Sequence, residues 1–234
     1  MKRDFDRRRV LAALGASAAG MLIAPRYVAA AGDAGCVVRP QQTEGPYFVD
    51  EKLNRSDIRI DPADGSSRPG VPLRVTFHVS KLTGSACAPL AGAVVDIWHC
   101  DALGIYSDVR DDSFDTRGKK FLRGYQVTDA NGDATFVTIY PGWYSGRAVH
   151  LHFMVRTDPA ANRARVFTSQ LYFDDALTDA VHTQAPYASK GSRRIKNVSD
   201  GIFRSGAGNE LLLSATADGH GGYAGIFGLA LKLA

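Results

Sequence analysis

The sequence predicts an all-β fold: an antiparallel β-sandwich with long functional loops and little helix. Short runs rich in Val, Phe, Tyr and Thr recur along the chain, turn clusters such as Asp129-Ala130-Asn131-Gly132-Asp133 separate them, and residues 101–120 carry no clear period. The strand candidates in order are Val71–Ser80, Ala93–Trp98, Gly124–Thr128, Ala134–Ile139, Val149–Arg156 and Val166–Phe173. Asp175–Thr183 reads as the single short helix, and Leu229–Leu233 reads as a last strand closing a sheet. Nothing repeats internally.

The 234 residues are 45% hydrophobic and 22% charged, which excludes disordered, collagenous and multi-span membrane chains. The first 30 residues hold six basic and two acidic side chains and so account for the whole net charge of +4, leaving 22 of each sign in the rest. Without that segment no basic footprint remains, and nucleic-acid binding is excluded.

Residues 1–30 read as a signal peptide: a basic start, an apolar run from Leu11 to Ala24 that is short for a bilayer span, then Ala29-Ala30-Ala31. Arg7-Arg8-Arg9-Val10-Leu11 resembles a twin-arginine export signal, so the export machinery is an expected partner and the location is periplasmic or secreted. An N-terminal anchor helix is the alternative. Asp33-Ala34-Gly35-Cys36 only faintly resembles a lipoprotein box, because Asp33 is wrong for it. Residues 31–234 then form one domain. In an exported chain Cys36, Cys87 and Cys100 suit one disulfide and one remaining thiol, with all three pairings open.

Chemistry concentrates in Val149-His150-Leu151-His152-Phe153-Met154-Val155. On a strand successive side chains alternate faces, so His150 and His152 share one face while Leu151, Phe153 and Val155 take the other. Two imidazoles about 7 Å apart along a strand can converge on one metal ion, although two half-exposed strand histidines would look the same. Pro141-Gly142-Trp143-Tyr144-Ser145-Gly146-Arg147 precedes them, with no Asp, Glu or Cys to complete a zinc or ferrous site. It offers a phenol, and a tyrosinate favours a ferric ion.

Trp98-His99-Cys100-Asp101-Ala102-Leu103-Gly104-Ile105-Tyr106, Pro141-Gly142-Trp143-Tyr144 and Arg147-Ala148-Val149-His150-Leu151-His152-Phe153 resemble the intradiol ring-cleavage dioxygenases of catechols and protocatechuate. The likeness runs from Thr43-Glu44-Gly45-Pro46-Tyr47 to Thr168-Ser169-Gln170-Leu171-Tyr172. It implies a non-haem Fe(III) cofactor held by Tyr106, Tyr144, His150 and His152, with a catechol-type phenol and O2 as substrates and a muconate-type diacid as product. In the mechanism it implies, Tyr106 stays on the metal while Tyr144 leaves and takes a substrate proton. Arg147 stabilises negative charge on the ring, and Gln170 borders the reacting centre. Read without the resemblance, Arg147 could serve a salt bridge and Gln170 could pair with backbone. Trp98 and His99 read as packing and hydrogen-bonding residues at a strand end.

The pattern also departs from the family. Few residues separate the signal from Thr43, so the helical dimerisation segment of the catechol branch is missing, and a homo-oligomer, if formed, needs another surface. The Tyr144-to-His150 loop is shorter than in the well-known enzymes. With Arg147 committed and no second basic residue obviously presented nearby, a small catechol is expected over a carboxylated one. The competing reading is an iron-free β-sandwich binding module, transthyretin-like or carbohydrate-binding, and fold alone does not separate the two.

Overall fold

Along β1 (Pro72–Thr83) the side chains of Leu73, Val75, Phe77 and Val79 are buried, whereas Arg74 is exposed and Thr76 and His78 are half-buried. The same period of two runs through β5 (Asp133–Ile139), as expected of strands with one face on a core. The computed structural model describes residues 36–157 and 166–232, so the signal-peptide segment lies outside the described residues.

Ten strands form two sheets among the described residues. In the first, β10 (Tyr223–Lys232) lies on one edge of β1 and carries β9 (Thr216–Ala217) beyond it. The other edge of the long β1 is shared, β5 pairing with Pro72–His78 and β2 (Ala86–Pro89) with Ser80–Thr83. The second sheet runs β4 (Arg123–Val127), β3 (Val94–Trp98), β6 (His150–Arg156), β7 (Val166–Phe173), β8 (Leu212–Leu213). Phe77 of the first sheet packs on Phe153 of the second with ring centroids 5.0 Å apart, and Phe227 closes the triangle at 6.1 and 5.6 Å. These rings sit in the apolar core between the layers.

The all-β sandwich is as expected, and the six strand candidates match β1 and β3 to β7 within a few residues. One detail is corrected: the sheets are mixed, because β1 pairs with β10, and β7 with β8, in parallel. Parallel neighbours require a long connection, and residues 174–211 supply one between β7 and β8. That connection holds α1 (Asp175–His182), α2 (Gly201–Ser205) and short 3₁₀ turns. Asp174 caps α1 by accepting from Leu177 N–H. The last strand begins well before Leu229, since Tyr223-Ala224-Gly225 has too little apolar alternation to announce it. Cys36 and Cys87 form the disulfide, and Cys100 is the buried thiol.

Candidate active site

The outer face of the second sheet carries the site. Leu151, Phe153 and Val155 of β6 fill the core, which turns His150 and His152 to the opposite side, both only 2% exposed. Their Nε2 atoms stand 3.1 Å apart. His150 Nδ1 donates to the Ala148 carbonyl at 2.7 Å, so its Nε2 presents a lone pair to the site. Trp98 lies opposite His152 in the β3–β6 register and stacks on its ring at 5.1 Å and 8°. On the other side Gly45 approaches His152 so closely, at φ +75°, that a Cβ would sit 3.1 Å from Cε1.

Two loops bring phenols to these imidazoles. Tyr144, half-buried on the segment between β5 and β6, has its hydroxyl 3.1 Å from His150 Nε2. Tyr106, 1% exposed, stands edge-on to Tyr144 at 5.8 Å and 6.3 Å from the His152 ring. Its loop is fixed by Asp101, whose carboxylate accepts from Leu103 and Ile105 N–H, and by the Tyr47 ring packed 4.7 Å away at a tilt of 33°. Tyr47 donates to Asp111 at 2.6 Å. A cleft of about 450 Å³ opens over the phenols, walled by Tyr47, Phe114 and Trp143.

Arg147 reaches the same point from the loop before β6. Its Nη1 lies 3.4 Å from His150 Nε2, Nη2 donates to Gln170 Oε1 and to the Tyr172 hydroxyl, and Nε donates to Asp200 at 2.9 Å. Gln170, fully buried on β7, also donates to the Thr43 carbonyl at 2.9 Å. Arg147 therefore makes a salt bridge and faces the histidines at once, and Gln170 both pairs with backbone and borders the site.

Burial sets the protonation states. It pushes His150 down to about 3, with Arg147 adding to the effect, and His152 well below its ordinary value. Both imidazoles are neutral, the form that binds metals. Tyr106 and Tyr144 are pushed up, again chiefly by burial, so both are protonated unless a cation meets them. For Asp200 burial acts upward, but the Ala148 and Phe203 N–H groups and Arg147 hold it below the usual carboxylate range.

The donors fit a hard, highly charged ion. Tyr106 Oη is buried without a hydrogen-bond partner, and an unpartnered buried hydroxyl beside two neutral imidazoles is costly unless something else binds it. Among the described residues no three His, Cys, Asp or Glu side chains converge as metal ligands, so phenols are what completes a set around the two histidines.

The structure thus brings together Tyr106, Tyr144, Arg147, His150, His152 and Gln170. Sequence reading named no role for Asp200, Tyr172, Gln42 or Gly45: Asp200, Gln42 and Gly45 are far from β6 in the chain, whereas Tyr172 shares the face of Gln170 two residues on and lies opposite His150 in the β6–β7 register, so strand alternation could have found it. Gln42 accepts from Tyr172 at 2.9 Å. It also missed a second cation: Lys190 lines the cleft, donating to the Leu103 carbonyl with Nζ 4.8 Å from the Trp143 ring centroid.

The profile of the family described as "Dioxygenase" matches residues 43–189. Catechol 1,2-dioxygenase 1 of Acinetobacter lwoffii is 30% identical over 165 residues, covering 58% of this chain and 49% of that protein. Chlorocatechol 1,2-dioxygenase of Pseudomonas putida is 31% identical over 150 residues, covering 56% and 52%. The chain spans about half the length of these curated relatives. Among solved structures, the intradiol ring-cleavage dioxygenase from Tetranychus urticae superposes with a TM-score of 0.73 at 33% identity, covering 84% of this chain and 95% of that one. With its sandwich, its paired histidines and phenols, and a profile match across most of its length, this chain belongs to the intradiol ring-cleavage dioxygenase family.

Proposed function

We propose that the protein is a non-haem Fe(III) intradiol dioxygenase that opens the ring of a catechol with O2 to give a cis,cis-muconate-type diacid. The observation that carries this reading is the meeting of two neutral imidazoles with two phenols, the half-buried Tyr144 and the buried Tyr106, the latter without a hydrogen-bond partner. Tyr106, Tyr144, His150 and His152 would hold the ion, and two phenolates with one hydroxide balance its three positive charges, so burial does not isolate a net charge. Bound ferric iron would supply the electron-accepting character that lets a catecholate ring react with O2.

The chain's own groups do the rest. Tyr144, at the cleft side of the site, is the base that receives a catechol proton, while the more deeply packed Tyr106 keeps its place. Arg147 directs Nη1 toward the same point, where a fixed cation stabilises negative charge developing on the ring. Tyr47, Phe114 and Trp143 line the approach with aromatic surface suited to a flat ring.

A small catechol remains the favoured substrate although Lys190 lines the cleft. Its ammonium is engaged by the Leu103 carbonyl and the Trp143 face, and Asp111 lines the same cleft. Iron analysis, visible spectroscopy and oxygen uptake across catechol, chlorocatechols, hydroxyquinol and protocatechuate test the proposal. The expected result is stoichiometric iron, a burgundy tyrosinate band and a product heavier than its catechol by one O2. A folded, colourless protein that refuses iron would instead support the iron-free binding module, and a large preference for protocatechuate would overturn the substrate assignment.

A further inference from the structure

Asp200 is fully buried, and the four hydrogen bonds made to its carboxylate divide between two tasks. Oδ1 accepts from Ile202 N–H at 2.7 Å and Phe203 N–H at 3.0 Å, capping α2. Oδ2 accepts from Ala148 N–H at 2.7 Å and from Arg147 Nε at 2.9 Å. The contact with Ala148 fixes the backbone beside Arg147, and the contact with Nε fixes the plane of its guanidinium. Gln170 and Tyr172 hold Nη2. Nη1 is then the end turned toward His150 Nε2. We propose that Asp200 is a positioning residue of this site, setting the orientation of Arg147 from 53 residues away in the chain. This inference rests on the dioxygenase reading for its kinetic consequence but not for its geometry.

A charged pair held this way is directional, because a planar guanidinium bound at Nε and Nη2 has little freedom to rotate. Loss of the carboxylate leaves Arg147 anchored only by neutral acceptors, with its charge uncompensated in a half-buried position. A cation that wanders from the reacting centre stabilises developing charge poorly, so the effect belongs in kcat.

Asp200→Ser separates the two tasks. Serine retains an oxygen that caps Ile202 and Phe203 N–H but is too short to reach Arg147. In chelator-stripped protein, the Arg147 Nε–H resonance, assigned by its disappearance in Arg147→Lys, should exchange with solvent at least about tenfold faster in Asp200→Ser than in wild type. In iron-loaded protein kcat for catechol should fall about 10- to 100-fold with KM changed less than about threefold, and Asp200→Glu should recover much of the loss. Adding Asp200→Ser to Arg147→Lys should lower kcat no further, because the two act as a unit. Unchanged Nε–H exchange, or losses that multiply in the double variant, would overturn the assignment. If Asp200→Ser does not fold, Asp200→Asn carries the same exchange measurement. Absence of ring cleavage in the wild type would strike the dioxygenase reading alone, since the exchange measurement reads the Asp200–Arg147 contact without iron.

Discussion

Tyr106 and Tyr144 bring the same phenol to the site on supports of different stiffness. Tyr106 is 1% exposed, packed with Trp98, Cys100 and Met154 beneath Tyr47, whereas Tyr144 is half-buried and followed by exposed Ser145 and Gly146. A ligand that must leave and take a proton belongs on the looser support. Tyr144→Phe should therefore retain iron and the tyrosinate colour of Tyr106 while binding and deprotonating catechol slowly. Tyr106→Phe should give a substrate complex with no tyrosinate band. Spectra of the anaerobic catechol complexes check this, and the opposite pattern reverses the two roles. His150 and His152 were legible because alternation along a strand places i and i+2 together. Asp200 was not, because its contact with Arg147 exists only once α2 packs behind the β5–β6 loop, and no pattern within either segment encodes that packing. Lys190 was not legible either, since it meets the Leu103 carbonyl and the Trp143 ring only through tertiary packing of the turn Tyr187–Lys190.

The strand ends hold the site through contacts that single substitutions can break. Gly104, at φ +81°, lies so close to the Trp143 carbonyl that an added Cβ would sit 2.3 Å from it. Gly104→Ala must displace either the loop that carries Tyr106 or the one that carries Tyr144, since the obstacle is backbone. A loss of about 2 kcal/mol or more in unfolding free energy is expected, with weakened iron retention, measured by urea unfolding and metal analysis. At the end of β3, His99 is fully buried, its Nδ1 donating to the Cys100 carbonyl at 2.8 Å and its Nε2 accepting from Thr138 at 2.7 Å. Burial pushes it down to about 4. The unfolded chain takes up this proton near pH 6.5 and the native one does not until about pH 4, so the His99 contribution is whole above pH 6.5 and is lost as pH falls through that window. Urea midpoints at pH 7 and 4.5 should fall less in His99→Gln than in wild type, a difference of up to about 3 kcal/mol. Most elements were legible from their apolar alternation. The parallel docking of β10 was not, because its partner β1 is nearly the whole domain away and Gly225 and Gly228 dilute its period.

The two cysteines of the disulfide tie residue 36 to the first sheet across a sequence separation of 51, while the third is buried with its thiol pushed up to about 12 by desolvation. Sequence left three pairings open; only the fold sets Cys36 and Cys87 at a Cα–Cα distance of 5.7 Å. Closing a loop of this length stabilises the native chain by about 4 kcal/mol in the loop-entropy account, so Cys36→Ser should lower thermal stability clearly while leaving the iron site spectrum unchanged. Such a bond persists in an oxidising compartment, and we propose that Arg7-Arg8-Arg9-Val10-Leu11, through its resemblance to a twin-arginine signal, directs the chain to one. The proposed ferric site would draw on Tyr106, Tyr144, His150 and His152 and so would need the loops after β3 and before β6 in place; on the proposed export route, a chain loaded inside the cell would then cross the membrane folded. Replacing Arg7 and Arg8 by Lys should then trap full-length precursor in the cytoplasm, measured by fractionation and blotting, and the trapped precursor should already hold iron. Undiminished export of the Lys variant would assign the chain to a route that carries unfolded polypeptides, with iron acquired after export.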